Sequence, residues 1–490
     1  MHNRSESQNE PFTVKGHWWL PNVKERVAGE LRYTESDLTL SLYGGLKPAI
    51  AKSPFSAQPE PSEHELIYGE SEDNRRYTVV GAFYTKWRAD IHDLSVRPGD
   101  SVRLRTSELH CHKLLEGIHL TETTDAFSKC RVEVPSIEAW LGVSPFALEL
   151  KRESKQMRLS YALPEDEMVE VESYRCRVGF IHAGRPPSLP LDLSPTIHHR
   201  TFFDIEFFEP QCLSKILNYG TDIVELLSVA YGGPLLSRRT GVYRPSCDKP
   251  LPVFYPRHVV APLDYSTHDF LMRYETIRTQ FSAVLSDWFS SNANLKRARR
   301  MLLSSERRPA EFIELRFLIL AQAAEVLSNE APRTTIVPLE KFRCVRKEML
   351  DAISAGTPPE LEKSIKEKLQ WANGCSFREK LLSLISELDQ RTIALFALDV
   401  ERFISGIVKS RNHYTHYSTK IGRKVLQGRE LHWATRKLAL MIRTVILTKM
   451  GVSECELRDA FGGNVRLVQE RRAWSSIDEE GTPYRGLETE

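Results

Sequence analysis

The chain has 490 residues, of which 41% are hydrophobic and 27% charged, with a formal net charge of +2. That length is too great for one ordinary core, and roughly two to four domains is the prior. The composition is that of a soluble globular protein, and the near-neutral balance excludes a wholesale nucleic-acid binder, so any RNA contact must come from local patches. No apolar run approaches the ~20 residues needed to span a bilayer, so no membrane partner is expected. The opening MHNRSESQNEPF has no apolar h-region of a secretory signal. The eight cysteines are scattered with no CxxC pair, which points to a reducing cytoplasm.

Residues 1–12 read as disordered, and from Phe12 to about Cys130 the pattern is strand-like. Gly29–Thr34 and Asp37–Tyr43 alternate apolar and polar residues across a short turn, which reads as a hairpin. Leu66–Gly69 and Tyr77–Val80 flank a turn-rich segment and read as a second hairpin. Pro48–Glu65 is rich in Pro, Ser and Ala and reads as a loop. Gly117–Leu120 reads as a strand, and Pro135–Leu141 as a short helix with Pro135 near its start. Residues 155–185 and 198–208 are strand-like, with Pro-rich connections at 186–195. Gln211 to about Ala230 carries helical spacing through Leu213, Ile216, Leu217, Ile223, Leu226 and Leu227.

The character then changes. Helical spacing covers 267–289, 293–304, 309–329, 337–354, 359–372, 376–388, 396–413 and 428–450. Phe312–Val326 is apolar almost all round and predicts a central buried helix. Ser376 followed by Glu379 is a capping-box spacing. The expected class is α+β multidomain: a β-rich N-terminal domain over 1–264, an all-α domain over 265–460 and a loose tail over 461–490.

Near the end of the 396–413 helix lies Arg411-Asn412-His413-Tyr414-Thr415-His416. Arg is a permanent cation whose planar fork suits two phosphate oxygens, and His takes or gives a proton near neutral pH. The combination points to chemistry on a phosphodiester. On an ideal helix Arg411 and His416 stand about 140° apart, whereas Asn412 and His416 share a face. Arg and His near a helix C-terminus also suit the dipole, so spacing alone leaves an ordinary helix end as an alternative.

The C-terminal half resembles the HEPN superfamily, specifically its ApeA-like branch. Arg411-Asn412 followed by His416 matches R-N-x3-H, and Leu315–Glu325 and Ser376–Leu381 match two upstream helices. The N-terminal half resembles the domain that accompanies this HEPN. It does so through Gly16–Pro21, Val27–Leu31, Leu115–His119 with Phe127, and Ile137–Leu141. The resemblance covers about residues 15–455. It implies a metal-independent endoribonuclease of abortive-infection defence against phage, working as a homodimer or higher even oligomer whose motifs face each other. RNA is then the substrate, with tRNA a candidate, and the products carry 2′,3′-cyclic phosphate and 5′-hydroxyl ends. His416 is assigned to proton transfer, Arg411 to the phosphate, and Asn412 to orienting the imidazole or the phosphate. Glu325 matches an acidic family position. It would fix the imidazole tautomer or pair with Arg411, or be a simple buried ion pair. The N-terminal domain would sense a phage-derived trigger. Some relatives carry a modified tyrosine two residues past the His, where this chain has Ser418.

Two basic clusters are candidates for holding RNA: Lys296, Arg297, Arg299 and Arg300, with Arg307 and Arg308 nearby, and Lys420, Arg423 and Lys424 just after the motif. Contact with the RNA backbone there would make binding salt-dependent. Tyr414 and Tyr417 would stack on bases or pack in the core. His110-Cys111-His112 is a poor metal site, because on a strand the two His share a face and Cys111 points away. His198-His199 is no stronger. With no P-loop or dinucleotide fingerprint, no cofactor is expected. The rival function is a non-catalytic HEPN binding or dimerisation module acting with a separate effector.

Overall fold

The computed structural model describes residues 10–53, 55–90, 96–135, 137–151, 156–185, 196–256, 266–307, 312–329, 335–353, 356–397, 399–416 and 425–480. The chain divides into two compact units. One is formed by the described residues of Met1–Leu227, Leu235–Tyr265 and Gln280–Phe289, the other by those of Ser228–Pro234, Ser266–Thr279 and Ser290–Glu490.

The first unit begins with β1 (Phe12–Trp19), β2 (Val27–Tyr33), β3 (Leu38–Leu42), β4 (Ala49–Ser53), β5 (Ser56–Pro59), β6 (Glu63–Ser71), β7 (Arg76–Ala89), β8 (Ser101–Val102) and β9 (Leu104–Glu116). Six of these hydrogen-bond in the order β9-β3-β2-β1-β6-β7, and β7 pairs back onto β9, so the ring closes into an antiparallel barrel. Closure removes the open edges that a flat sheet of this composition would expose. Both expected hairpins are present: Tyr33 pairs with Leu38, and Gly69 with Tyr77. Alternate residues point inward, and Trp18, Leu31, Tyr33, Leu40, Ile67 and Leu109 fill the core. Gly69 faces Trp18 across the β1–β6 pair, where an added Cβ would lie 2.2 Å from the indole. The glycine is therefore what lets the barrel hold that ring.

Two sequence expectations fail here. Pro48–Glu65 is not a loop, because it holds the β4–β5 hairpin and the start of β6. Gly117–Leu120 is not a strand. Its backbone is satisfied by side chains instead: Thr78 Oγ1 donates to the Ile118 carbonyl at 2.7 Å and accepts from the Leu120 amide at 3.1 Å, and the Tyr68 hydroxyl donates to the Leu120 carbonyl. Gly117 starts this excursion with φ +100°.

A second sheet follows, built from β10 (Ala126–Glu133), β13 (Glu167–Val171), β14 (Cys176–Arg185), β15 (His198–Cys212), β16 (Arg239–Tyr243) and β17 (Leu251–Phe254), in the order β13-β14-β15-β10-β16-β17. A separate hairpin joins β11 (Phe146–Lys151) to β12 (Gln156–Tyr161). β17 pairs with β9 at Val253–Leu115 and links sheet to barrel. Helix α1 (Ile137–Leu141) places the fully buried Trp140 against Phe180 and Phe203. Helix α2 (Leu213–Tyr231) lies on β10, where Gly220 faces Val132 and Cys130.

The expected single helix over 267–289 is broken into a 3-10 turn at Thr267–Asp269, α3 (Tyr274–Ile277), a second 3-10 turn and α4 (Phe281–Ser290). Between the first two, the Leu271 amide bonds the Ala230 carbonyl at 2.7 Å. The division expected at 264 shifts accordingly. Most of α4 belongs to the first unit, because Phe281 packs on Trp140 and Phe180 and the Trp288 indole donates to the Asp222 carbonyl.

The second unit is helical: α5 (Ala293–Arg307), α6 (Ile313–Ser328), α7 (Leu339–Asp351), α8 (Pro359–Trp371), α9 (Phe377–Ile385), α10 (Gln390–Ile393), α11 (Val400–His416), α12 (Gly428–Lys449), α13 (Glu454–Gly463) and α14 (Val465–Glu480). Helix α6 packs against α5, α9, α11 and α12 and is the central helix that its composition predicts. Its first turn is nevertheless exposed, with Phe312 68% and Leu315 56% accessible. The region over 461–490 is not a loose tail as far as it is described. α14 occupies most of it, and Trp474 is buried with its ring 6.2 Å from that of Trp433.

Candidate active site

Helix α11 is fixed from one side by Phe403, Ile404 and Ile407, all buried at a 3–4 residue spacing. Leu426 holds its far end. Ser410 Oγ accepts from the Leu426 amide at 2.9 Å, and the Tyr414 hydroxyl donates to the Leu426 carbonyl at 2.7 Å. The Tyr414 ring meets Phe317 of α6 edge-on at 6.2 Å. Tyr414 is thus a packing anchor, 7% exposed, and not available to stack on a base. The helix runs to His416, three residues beyond the 413 expected from its apolar spacing, so the whole Arg–His motif is helical.

Arg411 emerges beside α6 and α9. Its Nη2 donates to Glu325 Oε2 at 3.1 Å, and its Nη1 to Asn412 Oδ1 at 3.3 Å. The guanidinium lies 5.3 Å from the centre of the Phe377 ring, a cation–π arrangement. The other oxygen of Glu325 accepts Lys380 Nζ at 3.2 Å. The side chains of Arg411, Glu325 and Lys380 are 32%, 31% and 19% exposed. Glu325 therefore pairs with Arg411, in an ion pair that is partly exposed. Among the described residues no group hydrogen-bonds the His416 imidazole, so neither Glu325 nor Asn412 sets its tautomer here. Asn412 shares a helical face with His416, but its side-chain oxygen serves Arg411. His416 stands exposed on the last turn.

Lys380 and Phe377 are the site residues that the sequence reading missed. The capping box of Ser376 and Glu379 fixes the first turn of α9, and Phe377 and Lys380, three apart, then share the face turned to Arg411. A lone lysine on an amphipathic helix carries no signal of this role.

The basic candidates fare unequally. Arg297 and Arg300 are exposed on α5 and Lys296 is half-buried, but Arg299 is fully buried, so its assignment to RNA is withdrawn. It falls on the inward face with Leu302, Leu303 and Glu306, at the i, i+3, i+4, i+7 positions. Lys420, Arg423 and Lys424, together with Arg308, Tyr417 and Ser418, lie outside the described residues. His110 and His112 share a face of β9, with His110 on Asp37 at 3.1 Å, while Cys111 is buried on the other. Among the described residues no group of three or more His, Cys, Asp or Glu is placed to hold a metal. Nor is any helix among them long and apolar enough to cross a membrane. All eight cysteines are free thiols.

A family model described as ApeA N-terminal domain 1 matches residues 13–288, and one described as Apea-like HEPN matches residues 318–456. The chain belongs to the ApeA-like family. It is a HEPN-type defence protein, with a β-rich N-terminal region ahead of a helical region that carries the HEPN match. The N-terminal match extends through most of α4, in accord with the packing of that helix in the first unit. The HEPN match contains α9 and α11 and most of α6, and stops ahead of α14. No curated protein and no solved structure matches the chain.

Proposed function

We propose that this ApeA-like protein is an endoribonuclease that cleaves RNA without a metal ion, leaving 2′,3′-cyclic phosphate and 5′-hydroxyl ends, as an abortive response to phage. The observation that carries the reading is the placement of Arg411. It is held one-third exposed by Glu325 and Phe377, one helical turn and a half from an exposed His416. Metal-free cleavage needs a base on the ribose 2′-hydroxyl, an acid on the departing 5′-oxygen and positive charge on the phosphorane. Arg411 supplies the charge and His416 one proton-transfer group. A two-fold homodimer would supply the second histidine, since an isologous interface repeats every residue. Exposed Phe312 and Leu315 at the start of α6 are apolar surface of the kind such an interface covers.

In the RNA-free protein Glu325 holds the guanidinium through a charge-assisted bond and so keeps it in place for the incoming phosphate. Asn412 orients the same guanidinium. The barrel-bearing N-terminal unit would sense a phage-derived trigger in the cytoplasm, and tRNA is a candidate substrate because its loops expose unstacked bases.

The test is cleavage of total cellular RNA in EDTA by the full chain, beside His416→Ala and Arg411→Ala, with extract of infected cells added in a parallel series. Cleavage by the wild type alone, ending in cyclic phosphates, is expected. Equal cleavage by all three proteins would remove these residues from the chemistry. A wild type inert in both series would leave a binding module.

A further inference from the structure

We propose that Lys380 is a second phosphate-binding residue, taking one non-bridging oxygen of the RNA phosphate whose other oxygen Arg411 takes. The inference rests on the ribonuclease reading above and adds a cation to its site. Glu325 is held by two cations from two different helices, one on each carboxylate oxygen: Lys380 of α9 at 3.2 Å and Arg411 of α11 at 3.1 Å. A phosphodiester offers the same two-pronged anion through its two non-bridging oxygens. The cations are spaced for such a group because one already sits between them.

Neither cation depends on the carboxylate alone for its place. Arg411 also rests on the Phe377 ring and bonds Asn412, and Lys380 rides on a first turn fixed by the Ser376–Glu379 capping box. Two positive charges against one negative leave the trio at +1 before any RNA arrives. All three side chains reach solvent, at 19% to 32% exposure, so exchange of one anion for another does not require opening a core. Lysine suits the second position, because its ammonium is a point charge with three rotatable donors and needs no planar match.

The test separates binding from cleavage by using the His416→Ala full chain, with a fluorescent single-stranded oligoribonucleotide as probe. Its affinity is read by anisotropy between ~50 and ~200 mM salt, with and without Lys380→Met or Lys380→Arg. Losing one phosphate contact on a single strand lowers the slope of log K against log salt by about 0.7. Lys380→Met should show that flattening. Its parent's advantage should therefore shrink about 2.6-fold over the fourfold salt range, while Lys380→Arg keeps the parent's slope. The melting temperature of each variant is read alongside, and Lys380→Gln replaces Lys380→Met if the latter does not fold. A parent slope in Lys380→Met, or equal weakening by Met and Arg, overturns the assignment and makes Lys380 a mere support for Glu325. A parent with no salt-dependent RNA binding brings down the ribonuclease reading and Lys380 with it. A parent that binds while the Met variant binds identically brings down Lys380 alone.

Discussion

Each unit contains a carboxylate held by one arginine and one lysine, and the two trios are built differently. In the first unit Asp204 of β15 is fully buried. Arg131 grips it with two bonds of 2.6 Å, and Lys129 stands 3.6 Å away. Arg131 and Asp204 are direct partners in the β10–β15 register, so the sheet itself sets their geometry. In the second unit Glu325 is 31% exposed and takes single bonds from Lys380 of α9 and Arg411 of α11, two helices that also meet where Arg378 pairs with Glu401. The same three charges make a structural staple in one place and an exchangeable anion position in the other. Burial and fork geometry decide which, because a buried carboxylate cannot be given up without stranding its cations, and a solvated one can.

The sharpest break of that comparison is chemical. His416→Ala should lower RNA cleavage by about 10²–10⁴-fold, the usual worth of a general acid or base, with no change in melting temperature. End-group analysis of the RNA checks it. Stability should then divide the two trios. Asp204→Ala should cost about 3–5 kcal/mol in denaturant unfolding, as for any buried pair broken on one side. Glu325→Ala should cost less than about 1 kcal/mol while loosening Arg411. Glu306→Ala tests whether burial or the unit matters. That carboxylate lies in the helical unit, 4% exposed, against Arg443 at 2.7 Å, and should behave like Asp204.

The histidines extend the contrast to pH. Burial, with Lys47 adding to it, pulls the imidazole of His64 in the barrel from 6.5 down to about 4, and it lies 3.4 Å from the Tyr84 hydroxyl. The unfolded chain takes up a proton below 6.5 and the folded one does not until about 4. This residue's contribution is therefore complete above 6.5 and is lost as pH falls toward 4, to a total of about 3 kcal/mol. A His64→Gln chain should show a flatter acid limb in thermal melts taken from neutral to acid pH. A last, purely structural effect concerns Gly69. Its replacement by Ala forces a methyl into the Trp18 ring and should destabilise the barrel by about 1–3 kcal/mol, with no effect on the helical site. Near-UV circular dichroism of the tryptophan would report it.

Period and punctuation in the sequence located much of the fold. The β2–β3 and β6–β7 hairpins follow from alternation, and α2, α5, α9 and α12 from helical spacing, with the Ser376–Glu379 cap placing the start of α9. Local pattern misled where side chains replace ladder bonds, as Thr78 does for Gly117–Leu120, and where short strands hide in Pro-rich sequence at β4 and β5. It also took Arg299 for a surface cation, because a run of basic residues hides the one that turns inward.

Arg411, Asn412 and His416 stood out as a cation, an amide and an imidazole within six residues, whereas Glu325, 86 residues earlier, was named only through the family resemblance. That one helix carries both the cation and the imidazole was decided by the tertiary structure; the sequence alone determined that a permanent cation stands near the end of an amphipathic helix with an imidazole five residues on. It could not say that ring closure of β7 onto β9 makes a barrel, nor that Lys380, 31 residues before Arg411, sits on the same carboxylate. Those are long-range facts. They depend on which helix faces pack together and which strand edges meet, and no local periodicity encodes that choice.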